Sequence, residues 1–178
     1  MSLAHIALGA NLLSSAGPPE ATLAAAAERL AAFGRITARS SLYSTAPVDF
    51  ADQPRFANAV VALETHLSPQ ELLDGLLAIE LDFGRDRAAS PPNGPRTLDL
   101  DILFYGDMVL NESGLEIPHP RLAGRAFVLV PLHEVAPDLR DPRSGKTVVE
   151  MLQFLPDRAA PDAVAKIECG LWTDTTVR

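Results

Sequence analysis

Apolar and polar residues alternate along Arg96-Thr97-Leu98-Asp99-Leu100-Asp101-Ile102-Leu103-Phe104, the period of a half-buried β-strand. Leu98, Leu100 and Ile102 fall on one face, and Thr97, Asp99 and Asp101 on the other. At ~3.3 Å per residue the two Asp Cα atoms stand roughly 6.6 Å apart, with both carboxylates pointing the same way. The same reading predicts a first strand over Leu3–Leu8, ended by Gly9-Ala10-Asn11. Further strands are predicted over Arg35–Thr45 and Phe56–Thr65, where β-branched and aromatic residues return. Pro19–Phe33, rich in Ala, Leu and Glu, predicts a helix with Gly34 as its C-cap. Ser68-Pro69-Gln70-Glu71 has the form of a capping box with Pro at the first helical position, and Leu72, Leu73, Leu76, Ile79 and Glu80 follow at helical spacing until Gly84.

The order strand, helix, strand, strand, helix, strand is that of an α+β, ferredoxin-like split βαβ sandwich. A mainly antiparallel sheet with helices packed on one face is expected, its other face or rim left for ligands. Beyond the Asp strand, Ile117-Pro118-His119-Pro120-Arg121 reads as a rigid turn and Gly124-Arg125-Ala126-Phe127 leads into an apolar run through Leu132. Pro137 to Gly145 is loop-like, Thr147–Leu155 predicts a short helix, and a loosely patterned tail follows Leu155.

Composition narrows the function classes. A chain of 178 residues with 47% hydrophobic and 21% charged residues fits one globular domain with its own core. Fifteen Lys and Arg against twenty-three Asp and Glu give a net charge of −8, which disfavours nucleic acid as a partner. A single cysteine, Cys169, cannot close an intrachain disulfide. The start, Met1-Ser2-Leu3-Ala4-His5-Ile6, lacks the basic and apolar regions of a secretory signal. The default expectation is a cytoplasmic protein with no membrane partner, and the oligomeric state is left open.

Gly84 to Arg96 is too rich in Gly and Pro for a helix or central strand, and it carries Arg85, Arg87 and Arg96 to the start of the Asp strand. Long loops of this kind are often lids or binding loops. An isolated Asp-x-Asp strand is more often a solvated edge with its charges in water. Paired carboxylates beside three arginines instead suit a polyphosphate held by guanidinium groups and divalent metal together.

These motifs resemble those of the 6-hydroxymethyl-7,8-dihydropterin pyrophosphokinases. The resemblance rests on the Gly-Pro-Arg-Thr-Leu-Asp-Leu-Asp-Ile run, the Ile-Pro-His-Pro-Arg turn and the Gly-Arg-Ala-Phe start. It extends over Ile6-Ala7-Leu8-Gly9-Ala10-Asn11-Leu12, Tyr43-Ser44-Thr45-Ala46-Pro47, residues 52–59, Ile79-Glu80-Leu81 and Gly84-Arg85-Asp86-Arg87. It implies a pyrophosphokinase domain over 1–156, followed by a C-terminal extension over 157–178 without assigned role. The implied reaction moves the terminal diphosphate of ATP to the pterin hydroxymethyl group and releases AMP, a step of folate biosynthesis. Asp99 and Asp101 are then the ligands of Mg²⁺, two ions per site, and act in catalysis with Arg85 and Arg96. Glu80, Arg87, Ile102, His119 and Arg125 are implied ATP contacts, Ile102 at the adenine. Phe56 and Phe127 match the aromatic positions that sandwich the pterin, and Thr45, Asn58, Asp99 and the backbone near Val48 its polar contacts. The implied partners are these small molecules.

Three departures stand out. Asn93 occupies a position where many relatives have Trp, Ala88 replaces a basic residue, and Phe56 replaces a common Tyr, keeping the ring without its hydroxyl. Two other classes fit parts of the pattern. A ferredoxin-like regulatory module would not need the Asp pair, and a metal-dependent phosphohydrolase would break down ATP without pterin.

Overall fold

The computed structural model describes residues 1–47, 52–87, 94–155 and 164–175. Its first six elements of regular structure are β1 (Ser2–Ala10), α1 (Pro19–Leu30), β2 (Gly34–Arg39), β3 (Leu42–Thr45), β4 (Phe56–Thr65) and α2 (Pro69–Asp82). They continue with β5 (Asp99–Tyr105), β6 (Leu110–Glu112), β7 (Leu115–Ile117), α3 (Ala126–Val135), α4 (Val148–Gln153) and β8 (Val164–Ile167). Six strands form one sheet in the order β5-β1-β4-β3-β8, with β2 also pairing β4. Every pairing in it is antiparallel. The arrangement is the ferredoxin-like sandwich that the order of elements predicts.

Each helix follows from its residues. In α1, Leu23, Ala26, Ala27 and Leu30 are buried at the spacing of one helix face, with Glu20 in the first turn and Arg29 in the last. In α2, the Ser68 hydroxyl accepts the Glu71 N–H at 3.3 Å while the Glu71 carboxylate accepts the Ser68 N–H at 2.7 Å, the expected capping box. Thr147 and Glu150 repeat that box at the start of α4.

Helices cover both faces of the sheet, which corrects the expectation of one. Ala57, Ala59, Val61 and Leu63 of β4 pack with α1 and α2, whereas Val60 and Ala62 pack with Leu129 and Leu132 of α3 and Met151 of α4. The predicted helices α1 and α2 sit on a single face, and the run after Gly124 is itself a helix despite Pro131 within it. Gly34 is confirmed as a helix end, and one further expectation changes. A 3-10 turn over Ala31–Phe33 prolongs α1 and ends at Gly34 as its C-cap; the same glycine opens β2 in extended conformation, where a Cβ would lie 2.0 Å from the Glu64 carbonyl oxygen. Close approach of two strands requires that glycine. The strand predicted over Arg35–Thr45 is divided at Ser40-Ser41, and both parts pair with β4.

His5 of β1 lies in the core, 3% exposed, edge-on to Phe104, with its Nδ1 unpartnered. Burial lowers its pKa to about 4. The folded protein therefore holds His5 neutral over a range where the unfolded chain, with an ordinary His pKa near 6.5, takes up a proton. Stability from this residue is present above pH ~6.5 and is lost as pH falls toward ~4, on the order of 3 kcal/mol in all. In urea titrations the loss of stability between those pH values is expected to be smaller for His5→Leu than for the parent. Parallel profiles would show that His5 does not titrate in this way.

Candidate active site

β5 is an outer strand of the sheet, and its alternation places Leu100 and Ile102 in the core with α2 while Asp99 and Asp101 face the side that carries α3. The Asp99 Oδ2 lies 3.1 Å from Arg96 Nε, and its Oδ1 lies 3.7 Å from Arg85 Nη2 and 3.9 Å from Arg87 Nη2. Burial raises the Asp99 pKa, the Asp101 charge adds to that, and the three arginines pull it back. Asp101 is more open, its side chain 39% exposed, with His119 Nε2 at 3.9 Å. Burial, then Arg125 and Arg121, lower the His119 pKa to about 4, so at neutral pH the imidazole beside Asp101 is uncharged. Its Nδ1 accepts the Arg121 N–H at 3.2 Å, which leaves the imidazole proton on Nε2.

Three adjoining spaces meet at these carboxylates. A cavity of about 200 Å³ is lined by Arg85, Arg87, Arg96, Arg121, Arg125, Asp99, Asp101 and His119. Five arginines against two carboxylates make a cationic hollow in a chain of net charge −8. Nε and Nη1 of Arg85 are buried without hydrogen-bond partners, and unpaired buried donors on a cation are groups that an anion completes. A second cavity, about 330 Å³, is bounded by Leu73, Ile102, Glu116, Asp101 and His119 among others. A third, narrow cleft is lined by Asn58, Phe127, Arg96, Arg125, Asp99 and Asp101. Asp101 borders all three.

The aromatic positions carry guanidinium groups on their faces. Arg96 Cζ lies 4.8 Å from the Phe56 ring centre, and Arg125 Cζ lies 5.4 Å from that of Phe127. Beside them the Asn58 amide donates to Thr45 Oγ1 at 2.6 Å. Gly9 gives Asn58 room, since a Cβ there would be 3.0 Å from the Asn58 Oδ1.

Glu80 faces inward, 1% exposed, and its carboxylate pairs with the half-exposed Arg87 guanidinium from within. One oxygen accepts the Leu100 N–H at 2.8 Å and the other accepts from Arg87 at 2.6 Å. It thus fastens α2 to the edge of β5 and sets the base of the arginine group. Burial raises its pKa, and the Leu100 N–H opposes that shift.

The model of the 7,8-dihydro-6-hydroxymethylpterin-pyrophosphokinase family matches residues 5–137. The chain belongs to this family. It is similar to the 2-amino-4-hydroxy-6-hydroxymethyldihydropteridine pyrophosphokinase of Pseudomonas aeruginosa, 49% identical over 154 residues that span 85% of this chain and 91% of that one. The enzyme of the same description from Methylorubrum extorquens is 41% identical over 170 residues, 94% of this chain and all of the other. In fold it is similar to the wild-type HPPK-DHPS of Plasmodium falciparum with pteroate, at a TM-score of 0.68 and 15% identity. That likeness covers 85% of this chain and 44% of the plasmodial one. This pyrophosphokinase is therefore a transferase of folate biosynthesis, and the matched span contains every site residue expected from the sequence.

The pyrophosphokinase fold brings together Arg85, Arg87, Arg96, Asp99, Asp101, His119 and Arg125 around one cavity, Ile102 beside it, and Asn58 and Phe127 along the cleft. Phe56 and Thr45 join through Arg96 and Asn58. Val48, Ala88 and Asn93 lie outside the described residues, as does most of the turn-rich part of the arginine loop. Sequence reasoning gave no role to Asn11 or Arg121. The Asn11 amide donates to Gln53 Oε1 and the Pro54 carbonyl, both at 3.0 Å, and its Oδ1 accepts the Arg96 N–H at 2.8 Å. One side chain thereby joins the end of β1, the approach to Phe56 and the arginine loop. The sequence signal was a Gly-Ala-Asn that ends a strand, and for Arg121 its place two residues after His119.

Proposed function

We propose that Asp99 and Asp101 mark the point of diphosphate transfer, with ATP along the arginine-lined and Ile102-lined cavities and the dihydropterin between Phe56 and Phe127. The observation that carries this reading is the position of Asp101, shared by the cationic hollow, the Ile102 cavity and the aromatic cleft. A reaction between a polyphosphate and an alcohol needs such a shared wall.

Mg²⁺ fits this donor set. Among the described residues no group of three or more His, Cys, Asp or Glu forms a metal cage, and two carboxylates are the protein share Mg²⁺ takes when substrate phosphates complete its shell. Asp99 and Asp101 would hold it, and two ions per site suit a triphosphate. Such ions polarise the phosphoryl group and lower the pKa of a coordinated hydroxyl. Arg85 and Arg96 neutralise the charge that develops on the transferred diphosphate, while Arg87, His119 and Arg125 hold the nucleotide phosphates. Glu80 acts through Arg87, and Ile102 supplies an apolar wall for adenine. Thr45 and Asn58 read the edge of the pterin, with the backbone near Val48, and Asp99 meets its hydroxymethyl end.

Purified protein with ATP, Mg²⁺ and the hydroxymethyl dihydropterin is expected to release AMP. Formation of ADP rejects the reading, and rapid ATP breakdown without pterin points to the phosphohydrolase class. Stacking adds about 0.5–1.5 kcal/mol for an aromatic pair, so Phe127→Leu is expected to raise KM for the pterin about two- to tenfold while KM for ATP holds. Equal rises in both constants would remove Phe127 from the pterin side.

A further inference from the structure

The family match ends at residue 137, yet a segment well beyond it is built into the sheet beside the candidate pterin contacts. β3 has four residues, of which three pair with β4 and all four pair with β8, in register from Leu42↔Ile167 to Thr45↔Val164. The larger share of its ladder therefore comes from the C-terminal segment. Without β8, β3 would be a four-residue strand on the rim of the sheet, and short rim strands open readily.

The segment is latched at the start of β3. The Trp172 indole, 8% exposed, donates its N–H to the Ser40 carbonyl at 2.7 Å. Arg39 and Thr175 exchange two backbone hydrogen bonds, at 2.8 and 3.0 Å, and the Arg39 guanidinium lies 5.7 Å from the Trp172 ring centre. The Ser41 hydroxyl donates to Asp174 Oδ2 at 3.0 Å. Glu134 of α3 accepts the Ser41 N–H at 2.6 Å, bonds the Tyr43 hydroxyl, and meets Lys166 of β8 at 2.8 Å. At its other end β3 finishes in Thr45, which receives the Asn58 amide.

We propose that residues 164–175 position the pterin side of the active site, and that Trp172 is the latch that keeps β3, and with it Thr45, in register. This rests on the reading of Thr45 and Asn58 as pterin contacts given above. Trp172 touches no substrate; it is a positioning residue. The Trp172 ring packs into the core on the α1 and α2 side, but its N–H and the Arg39–Thr175 pair act at the junction of β2 and β3, which β1 and β4 separate from β5 and its two carboxylates. A latch acting on the whole fold would disturb both substrates alike.

The test compares full-length Trp172→Phe, which keeps an aromatic ring and removes the N–H, with Thr175→Pro, which removes the N–H donated to Arg39. Both are expected to raise KM for the hydroxymethyl dihydropterin at least fivefold, with KM for ATP and kcat at saturation within twofold of the parent. Trp172 is the sole tryptophan, and its emission is expected to shift to the red in Thr175→Pro as the segment loosens. Either variant folded by circular dichroism with pterin KM unchanged, or with both KM values raised together, overturns the proposal. Should Trp172→Phe fail to fold, Thr175→Pro decides alone. Asn58→Ala, assayed in parallel, separates the two ideas. If it leaves pterin KM unchanged the assignment of the pterin edge fails, whereas a rise there with none in the latch variants defeats only the latch.

Discussion

Asp101→Ala is expected to lower AMP formation at saturating substrates by about a thousandfold or more, while the protein stays folded. A loss of that size corresponds to ~4 kcal/mol of transition-state stabilisation, the scale of a charge-organising group removed from a phosphoryl-transfer site. Asp101 borders the arginine-lined hollow, the Ile102 cavity and the Phe127 cleft, so its loss removes the common wall. Its side chain is 39% exposed and its ion-pair neighbour, His119 at 3.9 Å, is uncharged at neutral pH. Little folding energy therefore depends on it. Asp99 offers a less clean test, since Arg85, Arg87 and Arg96 all converge on it and its removal leaves three guanidinium groups to repel one another. The check is AMP release by the variant with its Tm measured alongside. A folded Asp101→Ala enzyme that keeps more than a tenth of the parent rate would end the carboxylate reading.

Glu80→Ala is expected to act first on stability and through it on the site. The substitution leaves the Leu100 N–H without its acceptor in the core, frees Arg87 and opens a void between α2 and β5. An unpaired buried donor costs about 1–3 kcal/mol and the void adds to it. The Arg87 side chain is 53% exposed, so the ion pair itself contributes little after solvent screening. A total of ~2–4 kcal/mol lowers Tm by roughly 5–15 °C in a chain of this length. Glu80→Gln keeps an oxygen for the Leu100 N–H and is expected to lose well under half as much. Thermal unfolding of the pair measures the difference. Equal losses for Ala and Gln would mean that charge, rather than the hydrogen bond to β5, is what the position supplies.

The two carboxylates and the face they share were legible because strand alternation is a local rule. The same holds for the capping box of α2, which spans Ser68 to Glu71, and for the strand β4, predicted and found at Phe56–Thr65. β4 is apolar on both faces because it lies inside the sheet with helices on either side. Gly34 was legible as a helix end, but its second reason for being glycine was not. The close approach of β2 to β4 depends on the position of Glu64, which only the folded chain supplies. The hairpin of β6 and β7 was not visible either, since three residues per strand carry too little alternation to register.

The site divides the same way. The sequence supplied the charged groups and, through the family motifs, their expected partners. Which way Glu80 faced was beyond it, because helical spacing leaves a carboxylate next to a core stripe free to point in or out. A main-chain N–H of β5, twenty residues away, decides that it points in. Asn11 likewise gains its role from Arg96, at a separation of 85 residues.

By itself, then, the sequence determined the alternation of strands and helices from β1 to β5, the two-residue spacing of the acidic pair and the excess of arginine beside it, since each follows from contacts within about one turn or one strand repeat. The tertiary structure alone decided that helices cover both faces, that five arginines share one hollow with Asp99, and that the C-terminal segment completes the sheet through a Trp172–Ser40 bond spanning 132 residues. Periodicity and capping are written in near neighbours. The partner of a buried polar group is chosen by whatever distant backbone the packed core brings within 3 Å.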